Sequence, residues 1–381
     1  MRFKALDGMR GMAAFSIVVY HAHYGHYFEW MWTMVDMFFV LSGFLIARIV
    51  IRSMLAGNFS FRSFFIRRAI RIWPVYYITL LGCYAAVVLH FLKYGTWIHT
   101  EGLATAPFFL QYTHHYLADG MMGESEQFIL WFHHSWSLAV EEQFYLLLPL
   151  VLMLLYRRVW LFSGLMIAVL ATAVMVRYAG AFPLLLISRM DALAIGVLIA
   201  VYWVYAEERP DTSVKLRIRR HHVLLIAITA AALIFSNVDW GGFTNNPDVP
   251  GDVVLRRRAL GLLGFNLLYG CMVICALKQW LGVFRWLFES SVAVFVGGIS
   301  YALYMFHVPI RGALLSVFES GTISNMPIWG QALYFTLAVM LAWLSKVLLE
   351  NRVARFKRYF PLDVVSGRSA TDKALTGQSD A

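Results

Sequence analysis

Apolar residues in this chain come in long runs and do not alternate. LLLPLVLMLLY (146 to 156) and VLLIAITAAALIF (223 to 235) are continuous, and comparable runs recur with short polar breaks between them. A helix needs about 20 largely apolar residues to cross ~30 Å of hydrocarbon. The pattern therefore predicts an all-α, polytopic transmembrane bundle of about ten spans. They fall near residues 8–26, 30–52, 73–92, 135–156, 159–177, 183–205, 221–236, 258–279, 291–316 and 328–349, the seventh being short. Composition agrees: 60% of residues are hydrophobic and only 14% are charged, against about 25% charged in a soluble domain.

Lys and Arg set the orientation, because cytoplasmic flanks retain the excess. With the N-terminus inside, 25 of the 32 basic residues fall on the inner side, so both termini are expected in the cytoplasm. The net charge of +10 is then a topology signal and implies no nucleic-acid partner. Arg256, Arg257 and Arg258 are the exception, lying at the outer end of span eight. The first segment contains Arg10 and His21, which argues against a cleaved signal peptide. Cys83, Cys271 and Cys275 lie within spans and suggest no disulfide framework; Cys271 and Cys275, four apart, read as packing residues. Residues 1–350 form the transmembrane domain, and 351–381 read as a basic and then disordered cytoplasmic tail. A long outer loop, 93–134, is too aromatic for disorder and could wall an acceptor pocket. A second, 237–257, is rich in turn residues.

Ionisable groups within spans are costly and are functional candidates by default. Arg10 and His21 are eleven residues apart, about 16 Å along a helix and only ~20° around it, so they share a face. Asp36, Glu141, Arg189, Asp191 and His307 lie at depths comparable to that of His21. If their faces converge, the outer third of the bundle has imidazoles and carboxylates suited to removing a proton from an alcohol. Arg189 and Asp191 read equally well as a structural pair with their neighbours. Arg68 and Arg71, three apart on one helix face, could clamp a phosphate-bearing ligand or anchor the chain to anionic lipid headgroups. The histidine pairs 114/115, 133/134 and 221/222 lie at interfaces or in loops, where solvated side chains are expected. Their spacing gives no metal site. Buried charges of this kind would also suit a proton-coupled transporter or flippase, and facing His pairs would suit a haem-binding protein.

Several blocks resemble the acyltransferase-3 family of integral membrane acyltransferases of bacterial envelopes. They are LDGMRGMAAFSIVVYH (6–21), DMFFVLSGFLI (36–46), FFIRRAIRIWPVYY (64–77), SWSLAVEEQFYLLLP (135–149), SRMDALAIG (188–196) and GGISYALYMFHVP (297–309), closing with LLENRVARF (348–356). The resemblance implies an enzyme of the bacterial cytoplasmic (inner) membrane. It would transfer an acyl group, usually acetyl from acetyl-CoA, to a hydroxyl of a surface polysaccharide, a glycolipid such as lipopolysaccharide, or a secreted molecule. Arg10 and His21 match its first-span motif, Arg68 and Arg71 its cytoplasmic Arg-x-x-Arg, and Glu141 the glutamate after WSL, with Glu142 as second choice. The implied roles are acyl-CoA phosphate binding by Arg10, Arg68 and Arg71, and proton abstraction by His21, oriented by Glu141 or Asp36. Trp136, Ser137, Arg189, Asp191 and His307 would line the acceptor side. Direct transfer is the simpler route, since no Ser or Cys stands in an evident nucleophile motif; Ser42 reads as a packing residue. The hydrolase-like domain of longer relatives is not expected after span ten, so the chain would act alone or with separate partners, in contact with membrane lipids.

Overall fold

The computed structural model describes residues 3–24, 26–95, 106–110, 131–180, 184–208, 218–237 and 251–361. The long helices are α1 (Lys4–His21), α2 (Met34–Leu55), α3 (Phe61–Tyr94), α4 (Trp136–Leu155), α5 (Val159–Tyr178), α6 (Leu186–Tyr202), α7 (Arg220–Asn237), α8 (Gly251–Lys278), α10 (Ser291–Phe318) and α11 (Ile328–Ser345), with the short α9 (Gly282–Phe288) between α8 and α10. No strand occurs among the described residues. Nine helical stretches there are long and apolar enough to cross a membrane. The tenth long helix, α1, is 18 residues long and carries Lys4, Asp7 and Arg10. The chain is an integral membrane helical bundle, and every expected span has its helix, including the short seventh.

Burial separates the centre from the rim. In the apolar windows of α2 and α6, 83% and 78% of residues are buried, against 17% in α5, α7 and α11, whose side chains would meet lipid. The helix α1 packs along α10 and beside α2, and α2 packs along α6. Small residues permit this. At Gly43 an added Cβ would fall on the Leu193 carbonyl, and at Gly196 on the Val40 carbonyl, so α2 and α6 meet backbone to backbone. Close helix approach of this kind is how bundles gain packing energy in lipid, where no hydrophobic drive operates between helices.

Helix ends depart from the expected spans for local reasons. The first helix stops at His21, and the chain turns through His23, whose φ is 58°. The third starts twelve residues before the expected boundary, because the Ser60 hydroxyl caps the Ser63 N–H at 3.2 Å; it ends at Gly95, with φ 71°. At 34 residues, α3 is about 51 Å long, well beyond a ~30 Å core. Its extra turns carry Arg67, Arg68 and Arg71. Arg256, Arg257 and Arg258 lie inside α8, which begins at Gly251.

Two further stretches add to the sequence reading. The outer loop, read as too aromatic for disorder, packs against the bundle at Ala106–Leu110: Tyr76 donates to the Ala106 carbonyl at 2.8 Å, Tyr77 to Pro107 at 2.9 Å, and Gln143 to Phe109 at 3.2 Å. Buried backbone of this sort persists at membrane depth only where protein partners satisfy it. Residues 96–105 and 111–130 of that loop, with His114 and His115, lie outside the described residues, as do 238–250 and the tail from 362. Residues 351–361, the start of the expected tail, instead form helical turns against α3, where Arg67 donates to the carbonyls of Lys357 and Phe360 at 3.2 and 2.9 Å. Arg10 near the chain start and Lys357 near its end both lie within electrostatic reach of Arg71, so α1 begins and the chain returns at one end of the bundle.

Candidate active site

A cavity open to solvent on one side, with about 630 Å³ of empty space counting its mouth, lies between α1, α2, α3, α4 and α10. Arg10, Arg68 and Arg71 line it together with Glu141, Tyr145, Ser137, Tyr301 and Tyr304. Tyr301 donates to the Ile72 carbonyl at 2.8 Å, which fixes α10 against the turn of α3 that carries Arg71. Glu141 accepts from the Ser42 hydroxyl at 2.8 Å and from the Tyr145 hydroxyl at 2.6 Å. Ser42, expected only to ease packing, thus has a bonding role. Among the described residues none of the three arginines forms an ion pair within 4.0 Å. Arg68 lies 6.0 Å from the Phe64 and Tyr145 ring centroids. Guanidinium groups that face a cavity without a salt bridge leave their forked donors open to an anion.

At the other end of α1 four imidazoles gather. His21 Nδ1 is 3.0 Å from the Ile17 carbonyl and 3.1 Å from His307 Nε2. The His21 and His133 ring centroids are 5.6 Å apart, and those of His134 and His307 5.2 Å. His134 is buried and contacts the Met305 carbonyl through Nε2 at 3.2 Å. The solvated placement expected for the 133/134 pair is overturned at His134: the chain enters the bundle through the short 3-10 turn His133–Ser135 before α4 begins, so His134 is already inside. His221 and His222 are exposed, as expected.

Tyr304 joins the two ends. It lines the arginine cavity, and its ring lies 5.7 Å from that of His307. Its hydroxyl donates to the His134 carbonyl at 2.6 Å and lies 2.7 Å from the Ser137 hydroxyl, which is within 3.3 Å of the same carbonyl. Neither Tyr145 nor Tyr304 was singled out in the sequence, although an aromatic hydroxyl one helical turn from Glu141 was a readable signal for the first.

Asp36, Arg189 and Asp191 belong to a different set of contacts. Asp36 is fully buried and takes two bonds from Arg189 Nη1, at 3.1 and 2.8 Å. The guanidinium lies 4.9 Å from the Trp32 centroid and 5.2 Å from that of Trp136. Asp191 is held by Arg177 at 2.8 and 2.7 Å and by Asn266 at 2.9 Å. Arg189 and Asp191 therefore each pair with another helix and not with one another. The structure thus brings His21 to His307, Glu141 to the arginine cavity, and Asp36 to Arg189; the expected single cluster is three. Among the described residues no group of three His, Cys, Asp or Glu side chains is placed to hold a metal ion.

Comparison with known proteins accords with this arrangement. The acyltransferase-3 family model, described as an acyltransferase domain, matches residues 3–347. A Staphylococcus aureus (strain COL) protein, provisionally named an O-acetyltransferase, is 26% identical over 373 residues, covering 91% of this chain and 56% of its own length. O-acetyltransferase OatA of Staphylococcus aureus (strain NCTC 8325 / PS 47) is 24% identical over 400 residues, covering 96% of this chain and 60% of its own. The chain spans little more than half the length of these curated relatives, and no solved structure matches it. With the family model running through all ten long helices, this chain belongs to the acyltransferase-3 family.

Proposed function

We propose that the chain is a membrane-embedded O-acyltransferase that moves an acyl group, acetyl by preference, from acyl-CoA to a hydroxyl of a cell-envelope glycan or glycolipid, acting in the bacterial cytoplasmic membrane. One observation carries the reading: three arginines from α1 and α3, with no ion pair among the described residues, face one cavity whose far wall touches the histidine cluster. Arg10, Arg68 and Arg71 would bind the phosphates of acyl-CoA from the cytoplasmic side. The thioester arm would then follow the α1 face toward His21, a distance of about 16 Å.

At that point His21 accepts the proton of the acceptor hydroxyl as its oxygen attacks the thioester carbonyl. A new C–O bond forms, the C–S bond breaks, and the CoA sulfur leaves as a thiolate that takes up the proton held on the imidazole. Glu141 sits with the arginines, where it would orient their side chains through Tyr145 and Ser42 and limit their mutual repulsion. Asp36, bound to Arg189, would support the wall that carries Trp136.

The test uses the purified chain in lipid nanodiscs with acetyl-CoA and extracted envelope glycans, with no ion gradient. Free CoA and an acylated acceptor are expected, and His21→Ala should lower the rate at least 10²-fold, the scale of a lost general base. Retention of near-normal transfer by well-folded His21→Ala removes His21 from the mechanism. Absence of transfer in the wild type, with uptake or flipping driven by a proton gradient, would favour a transporter.

A further inference from the structure

The sequence offered Glu141 or Asp36 to orient His21, and neither contacts it: Glu141 bonds Ser42 and Tyr145, and Asp36 bonds Arg189. We infer that His307 is the positioning residue for His21, fixing its hydrogen on Nδ1 and leaving Nε2 as the proton-accepting nitrogen. The inference rests on the acyl-transfer reading for its consequence, although the tautomer itself follows from contacts alone.

The assignment begins with His307. Its Nδ1 lies 2.6 Å from the Tyr304 carbonyl oxygen, which can only accept, so Nδ1 carries a hydrogen. Turning to His21, Nδ1 lies 3.0 Å from the Ile17 carbonyl oxygen, again an acceptor only, so this nitrogen also carries a hydrogen. His307 Nε2 stands 3.1 Å from the same His21 Nδ1. A hydrogen on that Nε2 would point at the His21 N–H, donor against donor, so His307 Nε2 holds a lone pair and accepts. In a neutral imidazole one nitrogen donates and the other accepts; His21 Nε2 is therefore the open lone pair.

The Tyr304 carbonyl thus sets the tautomer of His307, and His307 Nε2 together with the Ile17 carbonyl holds the hydrogen of His21 on Nδ1, with no carboxylate involved. His134 does not compete for the lone pair of His307, because its Nε2 faces the Met305 carbonyl. His307 is fully buried, whereas His21 keeps partial exposure, so of the two rings only His21 can meet an acceptor hydroxyl. When His21 Nε2 takes the proton, its Nδ1–H becomes a charge-assisted donor, and the bond to His307 strengthens at the step where charge appears. That is the part a carboxylate plays beside the histidine of a hydrolytic triad, performed here by a neutral ring.

The test combines two variants with nitrogen NMR on the full chain in nanodiscs. His307→Leu removes the acceptor and should lower kcat about 10²- to 10³-fold, less than the ~10⁴ seen when a triad histidine takes the wrong tautomer, with the KM for acetyl-CoA within twofold. His307→Gln, whose side-chain oxygen can accept from Nδ1, should recover at least tenfold of that loss. In ¹⁵N-histidine-labelled wild type, His21 should show a protonated Nδ1 and an unprotonated Nε2, and the Leu variant should show a mixture. Equal impairment of the Leu and Gln variants, a loss under fivefold in the Leu variant, or a wild-type hydrogen on His21 Nε2 would each overturn the inference. If the wild type transfers no acyl group, the acyl-transfer reading fails while the nitrogen shifts still decide the tautomer.

Discussion

Gly11 on α1 tests whether the closeness of α1 and α10 sets the site. A Cβ at Gly11 would lie 2.5 Å from the Gly297 nitrogen and 2.6 Å from the Ala293 carbonyl oxygen, both backbone atoms of α10. Ordinary contact begins at 3.4 Å, so Gly11→Ala must part the helices by 3.4 − 2.5 = 0.9 Å locally. Carried along the helix, that shift would lengthen the 3.1 Å His21–His307 bond to about 4 Å, beyond hydrogen bonding. Gly298→Ala, at the next α10 position after Gly297, meets nothing within 4 Å and is the control. Both variants gain the same ~1 kcal/mol of helix propensity, so their difference isolates the overpacking cost of about 1–3 kcal/mol. Unfolding in detergent followed by tryptophan fluorescence should place Gly11→Ala below Gly298→Ala by that amount, with acyl transfer lost in the first and kept in the second. Stabilities within about 0.5 kcal/mol of one another, on the scale of ordinary surface substitutions, would refute the close-approach argument.

The buried pair Asp36–Arg189 should behave as one unit: Asp36→Ala and Arg189→Met are each expected to cost about 3–5 kcal/mol by removing the ion-pair partner of a buried charge, and the double variant much less than their sum. Additive losses in the same unfolding assay would show that the pair does not couple. Arg68→Ala and Arg71→Ala should each raise the KM for acetyl-CoA about tenfold, the cost of one charge-assisted phosphate contact, with kcat nearly unchanged. Arg67→Ala should leave that KM alone while exposing the stretch around Lys357, whose carbonyl Arg67 binds, to limited proteolysis. A KM change of equal size at Arg67 would dissolve the distinction between donor contact and tail anchor.

The bundle was legible because apolar run length is a strong signal: all ten spans have helices. The ends were less so, since a cap such as Ser60 or a turn such as that at His23 depends on a few local bonds. Site chemistry was legible residue by residue, through the cost of a buried charge, but its grouping was not. Counting residues from a span end gives depth along one axis and says nothing about the direction a side chain faces. Glu141 and His21 therefore share an expected depth, whereas Glu141 lines the arginine cavity and His21 meets His307 at the other end of α1. One grouping could have been read: Arg189 and Asp191 are two apart on a helix and cannot face each other, so each needed a partner elsewhere, and Arg177 one helix earlier was the missing cation.

The distinction between paired and open polar groups divides scaffold from site. Arg189, Arg177 and Asn266 each hold a carboxylate, and these bonds join α2, α5 and α8 to α6, which with α2 is among the most enclosed helices of the bundle. A carboxylate gripped twice by a guanidinium cannot give or take a proton without leaving an unpaired buried cation, so this layer is poorly suited to proton relay. The groups left open lie on α1, α3 and α10: the arginines around the cavity and His21 Nε2. An ion-free relay needs continuous titratable partners across the bundle, whereas an acyl donor needs an anion cradle at one end and a base at the other. Among the described residues, open groups near the two ends of α1, with the α6 ion pairs beside them, suit the donor-and-base arrangement proposed above.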